Sequence, residues 1–126
     1  MKIRESAENY LETILTLQKR KGAVRSVDIA TELEFSKPSV SIAMKNLRER
    51  ELISVDPNGY ITLLPQGLAI AEEICERHEL LTQWLIHLGV DPQTASEDAC
   101  RMEHVLSQTS FNALKRHAGK VMDSSN

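Results

Sequence analysis

Three side chains able to ligate a transition metal sit close together in the run Asp98-Ala99-Cys100-Arg101-Met102-Glu103-His104-Val105-Leu106-Ser107. On a helix Cys100, Glu103 and His104 stand at i, i+3 and i+4, so thiol, carboxyl and imidazole project into one sector of about 100°. That donor combination is half of a transition-metal site. Ala99, Met102 and Leu106 line the adjoining face and put the trio at the margin of an apolar core. The same spacing also suits a half-buried thiol, a hydrogen-bonded imidazole and a solvated carboxylate. For an isolated triplet that plainer reading carries more weight. His78 falls inside the apolar stripe of a long predicted helix, where a lone histidine is more often a hydrogen-bonded core residue than a ligand. Cys75, three positions earlier, reads as a small buried hydrophobe. Asn9 and Glu12 share one face of the first predicted helix, which by itself reads as a solvated acidic face.

Catalysis finds little support. The chain has no Gly-x-Ser-x-Gly elbow, no phosphate-cradling glycine loop, and no cysteine with a base beside it other than His104.

The elements that must position these groups follow from periodicity and turn residues. A first helix spans about Ser6 to Gln18 and ends before Gly22, and a second spans Ser26 to Leu33, with Ser26 as its cap. Ser36-Lys37-Pro38-Ser39 signals the start of a third helix that reaches about Arg50. The period then changes. Leu52–Val55 and Tyr60–Leu63 are β-prone runs joined by Asp56-Pro57-Asn58-Gly59, which reads as a hairpin. A long helix follows, entered near Pro65 and Gly67 and ending at Gly89, with a stripe of Leu68, Ala71, Ile74, Cys75, His78, Leu81 and Leu85. Two more helices cover about Gln93 to Gln108 and Ser110 to Ala118, and Gly119 opens a polar tail.

Three helices and a hairpin, with a tight break before the third helix, is the order of a winged helix-turn-helix. The third helix opens with small polar residues, Ser36, Ser39 and Ser41, which fit a major groove without clashing. Lys37, Lys45, Arg48 and Arg50 are available for phosphates. Ser36, Lys37, Pro38, Ser39, Ser41, Ile42 and Lys45 are the expected DNA-facing set.

Composition narrows the class. The chain has 126 residues, 41% hydrophobic and 26% charged, enough for one ordinary domain or two lobes. Fifteen basic against 18 acidic residues exclude a polybasic nucleic-acid arm. The imbalance is local: residues 1–64 hold ten Lys/Arg and nine Asp/Glu (+1), and residues 65–126 hold five and nine (−4). The first half can face a polyanion; the second suits a cation. Two cysteines and no secretory leader point to the cytoplasm, and no apolar run reaches the roughly 20 residues of a membrane span.

DACRMEHVLS (98–107), with ENYLETIL (8–15) and RHELL (77–81), resembles the diphtheria-toxin-repressor family of iron- and manganese-dependent bacterial repressors over about residues 5–118. The chain is similar to the short manganese-regulator branch, which lacks the SH3-like domain of longer members. The resemblance implies a metal site of Glu12, His78, Cys100, Glu103 and His104. Asn9 stands where better-known branches carry Met or Asp and is the weakest member of that set. Cys100 stands where the manganese branch carries a glutamate, and Ile42 where the iron branch carries a glutamine. The iron branch's second site needs an acidic residue and a histidine where this chain has Thr82 and Ser96.

The expected architecture is mainly α: a winged helix-turn-helix over 1–65, a helical metal-binding and dimerisation lobe over 66–118, and a polar tail over 119–126. The expected function is a homodimeric repressor of iron or manganese homeostasis genes. It binds double-stranded, palindromic operator DNA and is activated by Fe²⁺ or Mn²⁺, with Zn²⁺ or Co²⁺ as further occupants. No membrane or small organic substrate is expected, and no catalysis. The alternatives are a winged-helix regulator not gated by metal and a small metal-dependent hydrolase using Glu103 as base.

Overall fold

The computed structural model of the chain describes residues 2–124, with side chains from residue 6 to residue 122. The elements are α1 (Lys2–Lys21), α2 (Ser26–Leu33), α3 (Lys37–Glu49), β1 (Ile53–Val55), β2 (Ile61–Leu63), α4 (Pro65–His87), α5 (Pro92–Met102) and α6 (Gln108–Ser124). They fall into two compact units, residues 1–73 and 74–126, whose boundary lies within α4.

In the first unit, α1 to α3 close on a core of Leu11, Ile14, Val24, Ile29, Val40 and Leu47, all nearly or fully inaccessible. Burial of such aliphatic side chains is the main term holding a small unit together, about 1.5–3 kcal/mol each before conformational entropy is charged. α2 does not take Ser26 as its cap. Arg25 is the N-cap, and the Asp28 carboxylate accepts the Arg25 backbone N–H at 2.8 Å. α3 starts as the sequence predicts: Ser36 is the N-cap, its hydroxyl accepting the Ser39 N–H, with Pro38 in the first turn.

β1 and β2 pair antiparallel with Ile53 opposite Leu63 and Val55 opposite Ile61. In the turn, the Asp56 carboxylate accepts the backbone N–H groups of Asn58 and Tyr60, and Gly59 supplies a φ of 87°. The hairpin docks on the α1–α2 connection. The Ile61 N–H donates to the Val24 carbonyl at 2.8 Å, Gln18 donates to the Ile61 carbonyl, and the Arg25 guanidinium lies 4.4 Å over the Tyr60 ring. The first turn of α4 presses on the chain entering β1. A Cβ on Gly67 would lie 2.0 Å from the Leu52 carbonyl oxygen, so only glycine fits there.

The second unit departs from the sequence reading in two places. The helix expected to run to Gln108 ends at Met102, and the last helix continues through Gly119 to Ser124 instead of giving way to a tail at 119. The break has a local cause and a distant one. The Ser107 hydroxyl accepts the Ser110 N–H, starting α6. The carbonyls of Glu103 and Leu106, which a continuous helix would aim at the N–H groups of Ser107 and Ser110, are instead taken by Arg77. α6 continues because its apolar stripe does: buried Phe111 and Ala118 and half-buried Leu114, Val121 and Met122 keep helical spacing across Gly119. Residues 125 and 126 of the expected tail lie outside the described residues. Phe111 is 1% exposed and belongs to this unit's own core.

Candidate metal centre and nucleic-acid interface

The metal-ligating groups of the second unit gather around one carboxylate. Glu103 follows the last turn of α5 and is completely buried. Its Oε2 lies 3.0 Å from Nδ1 of His78 on α4, and its Oε1 lies 3.3 Å from Nε2 of His104. A carboxylate without solvent is costly unless cations or strong donors surround it. Here two imidazoles face it, one on each oxygen. Two nitrogen donors and a carboxylate, drawn together from α4 and the turn after α5, fit a divalent transition metal by donor type. His78 is held at its other end as well, with Nε2 3.4 Å from the Ser96 hydroxyl on α5. Cys100 stands on the last turn of α5 and is exposed, whereas Glu103 three positions later is buried.

The turn carrying Glu103 and His104 is fixed by a residue that periodicity assigns wrongly. The expected stripe of α4 passes through His78, but its most buried positions are Ala71, Ile74, Arg77 and Leu81. Arg77 Nη1 donates to the carbonyls of Glu103 at 3.0 Å and Leu106 at 2.7 Å, and Nη2 donates to Gln108 at 3.2 Å. Its guanidinium lies 5.0 Å from the Phe111 ring centre. One side chain thus answers the Glu103 and Leu106 carbonyls of the α5–α6 connection and packs on Phe111 of α6. The signal was present in the sequence, since Arg77 is at i+3 from Ile74 and i−4 from Leu81. An arginine on a core stripe demands acceptors, and helix C-termini supply them.

In the first unit Asn9 and Glu12 are half-buried on α1, and the Asn9 carbonyl accepts the Thr13 hydroxyl at 2.8 Å. On α3, every residue expected to face DNA is exposed: Ser36, Lys37, Pro38, Ser39, Ser41, Ile42 and Lys45, with Ile42 at 64%. Val40, Met44 and Leu47 point inward, so the helix presents one polar face around a single apolar side chain. Ser26, Val27, Lys37 and Ser41 line a shallow pocket at the starts of α2 and α3.

Comparison with known proteins matches both halves of the chain to one family. Residues 2–60 match the iron dependent repressor N-terminal DNA binding domain, and residues 64–124 its metal binding and dimerisation domain. The transcriptional regulator MntR of Escherichia coli O157:H7 is 36% identical over 112 residues, 89% of this chain and 72% of that protein. An uncharacterised HTH-type transcriptional regulator of Methanocaldococcus jannaschii is 31% identical over 121 residues, 94% of this chain and 97% of that protein. Among solved structures, a manganese-dependent transcriptional repressor in complex with manganese matches with a TM-score of 0.82 at 26% identity, covering 90% of this chain and 52% of that one. The manganese regulator SloR matches at 0.78 and 26%, covering 90% and 53%. The chain therefore spans about half the length of these solved relatives.

Proposed function

The chain belongs to the iron-dependent repressor family, and from that membership we propose that it is a metal-activated, DNA-binding transcriptional repressor of metal-ion homeostasis genes. The observation that carries the metal dependence is the buried Glu103 carboxylate set between the imidazoles of His78 and His104. The proposed ligands are Glu12, His78, Cys100, Glu103 and His104, with Asn9 the weakest member. A bound Fe²⁺ or Mn²⁺ would supply positive charge to these carboxylates. The protein's own groups do the rest: the imidazoles present nitrogen lone pairs, Glu103 presents an acceptor kept from water, and Arg77 holds the turn that carries two of the donors.

On the DNA side, the proposed reader is α3. Ser39 and Ile42 face the bases, Ile42 through thymine methyl groups, and Lys37 and Lys45 contact phosphates. The palindromic operator follows from a dimer with two such helices about one DNA turn apart. Relatives that are transcriptional regulators favour a protein with no catalytic activity. Among the described residues no helix is long and apolar enough to cross a membrane, and operator binding requires residence in the cytoplasm.

Selection from a randomised duplex library in the presence of Mn²⁺, repeated with Fe²⁺ without oxygen and again with chelator, tests the proposal. Enrichment of a palindromic sequence only with metal is the expected result. Equal enrichment in chelator favours a winged-helix regulator that metal does not gate. No enrichment under any condition overturns the reading.

A further inference from the structure

The imidazole of His78 is held between a residue of α5 and the residue that caps its C-terminus. Nδ1 meets Glu103 Oε2 at 3.0 Å, and Nε2 meets the Ser96 hydroxyl at 3.4 Å. Ser96 lies on α5 and Glu103, seven residues on, is the αR residue that caps its C-terminus, so the two project from one side about two turns apart. The ring from α4 bridges those turns and cannot flip without losing both contacts.

Resting on the metal reading above, we propose that Ser96 is a positioning residue for His78: its hydroxyl holds Nε2, which keeps Nδ1 as the nitrogen that faces Glu103 and takes the metal. The chemistry of a hydroxyl suits this task. In a neutral ring whose Nδ1–H donates to the Glu103 carboxylate, Nε2 is an acceptor to which the Ser96 O–H can donate. Ligation through Nδ1 would need that nitrogen's lone pair, so the ring's one proton would sit on Nε2 and the Nε2–H would donate to the Ser96 oxygen. The ring keeps one proton throughout. Serine donates in the first state and accepts in the second by turning its O–H, with no heavy atom displaced. A carboxylate could only accept and an ammonium only donate; alanine does neither. Hydrogen-bond partners of a metal-ligating histidine's second nitrogen typically fix its tautomer and raise metal affinity.

The test compares wild type with Ser96→Ala and Ser96→Thr. Alanine is a good helix former, so the first variant keeps α5. Titration with Mn²⁺ alone should show affinity lowered about 10- to 100-fold in Ser96→Ala and recovered in Ser96→Thr. Nitrogen NMR of the Cd²⁺-loaded protein should show a protonated, slowly exchanging His78 Nε2 in wild type and threonine variant, and rapid exchange in the alanine variant. In the metal-free protein the Nε2 resonance should shift on Ser96→Ala. Unchanged Mn²⁺ affinity and an unchanged Nε2 signal in Ser96→Ala would overturn the proposal. So would a Cd²⁺-loaded His78 protonated at Nδ1. Failure of wild type to bind Mn²⁺ at all overturns the underlying metal reading, and the metal-free Nε2 resonance distinguishes that outcome from a failure of Ser96.

Discussion

At the scale of single residues, Glu103 is the group on which the proposed metal response turns. A buried carboxylate that accepts a hydrogen bond from His78 on one oxygen, with His104 Nε2 3.3 Å from the other, offers its charge to a cation. Glu103→Gln keeps the shape and can still hydrogen-bond His78, so the unit folds, but the charge is gone. Mn²⁺ affinity measured by electron paramagnetic resonance should fall by more than about 100-fold, beyond the usual cost of losing an outer-shell partner. Retained affinity would remove Glu103 from the ligand set. Cys100 bears on which metal is preferred. A thiolate adds more to Fe²⁺ than to Mn²⁺, whereas a carboxylate suits the harder ion. Cys100→Glu should therefore raise the response to Mn²⁺ relative to Fe²⁺ in anaerobic DNA-binding titrations against free metal. An unchanged ratio would show that the exposed thiol does not set the preference.

Elements are held here by close approach and by caps, and each makes a measurable prediction. At Gly67 an added methyl would meet the Leu52 carbonyl, which is backbone and cannot swing aside. Gly67→Ala should lower stability by about 1–3 kcal/mol, the cost of overpacking, and it should do so although alanine favours helices. Chemical denaturation of the variant checks this, and a midpoint equal to wild type would mean that α4 enters differently. Asp28 at the start of α2 gives a pH dependence. Its hydrogen bond from Lys21, and then the one from the Arg25 backbone, hold its pKa below the ordinary carboxylate range. A depressed folded-state pKa contributes stability that is present above the unfolded value and is lost as pH falls through the folded one. Wild type should therefore lose stability on acidification below about pH 4 more steeply than Asp28→Asn, since about 3.9 is the unfolded value for aspartate. Parallel acid limbs in the two proteins would contradict that role for the pair.

For the whole molecule, the dimer is the property that the C-terminal half carries, its residues 64–124 matching a metal binding and dimerisation domain. Leu88 and Val105 are 59% and 63% exposed, large apolar side chains that an isolated unit leaves in water. Trp84 and Leu85 are half-buried on the last turns of α4. These positions favour an interface that forms through apolar burial and so persists without metal. Sedimentation of the chelated protein at micromolar concentration should give a dimer, and Leu88→Glu should weaken it. A metal-free monomer would mean that the cation assembles the dimer rather than acting within one.

Much of this protein is written in short-range signals. Ser36 with Pro38, Asp91 with Pro92, and Asp56-Pro57-Asn58-Gly59 each act through bonds closed within a few residues, so the starts of α3 and α5 and the hairpin turn are legible from local chemistry. The spacing of Cys100, Glu103 and His104 likewise puts three potential donors in one helical sector without any fold, although spacing alone does not make them ligands. Long-range packing decided the rest. Nothing local says that Glu103 is buried and Cys100 exposed, because burial depends on what α4 brings against the turn from 25 residues away. Nothing local ends α5 at Met102 either. That boundary exists because Arg77 takes two carbonyls the helix would otherwise use, and an arginine's partners are chosen by tertiary contact. Gly67 is the same case in reverse, a residue whose need for no side chain becomes visible only once the Leu52 carbonyl lies against it. Hydrogen bonds within a turn are encoded where they form; desolvation and steric exclusion depend on every chain segment that comes near.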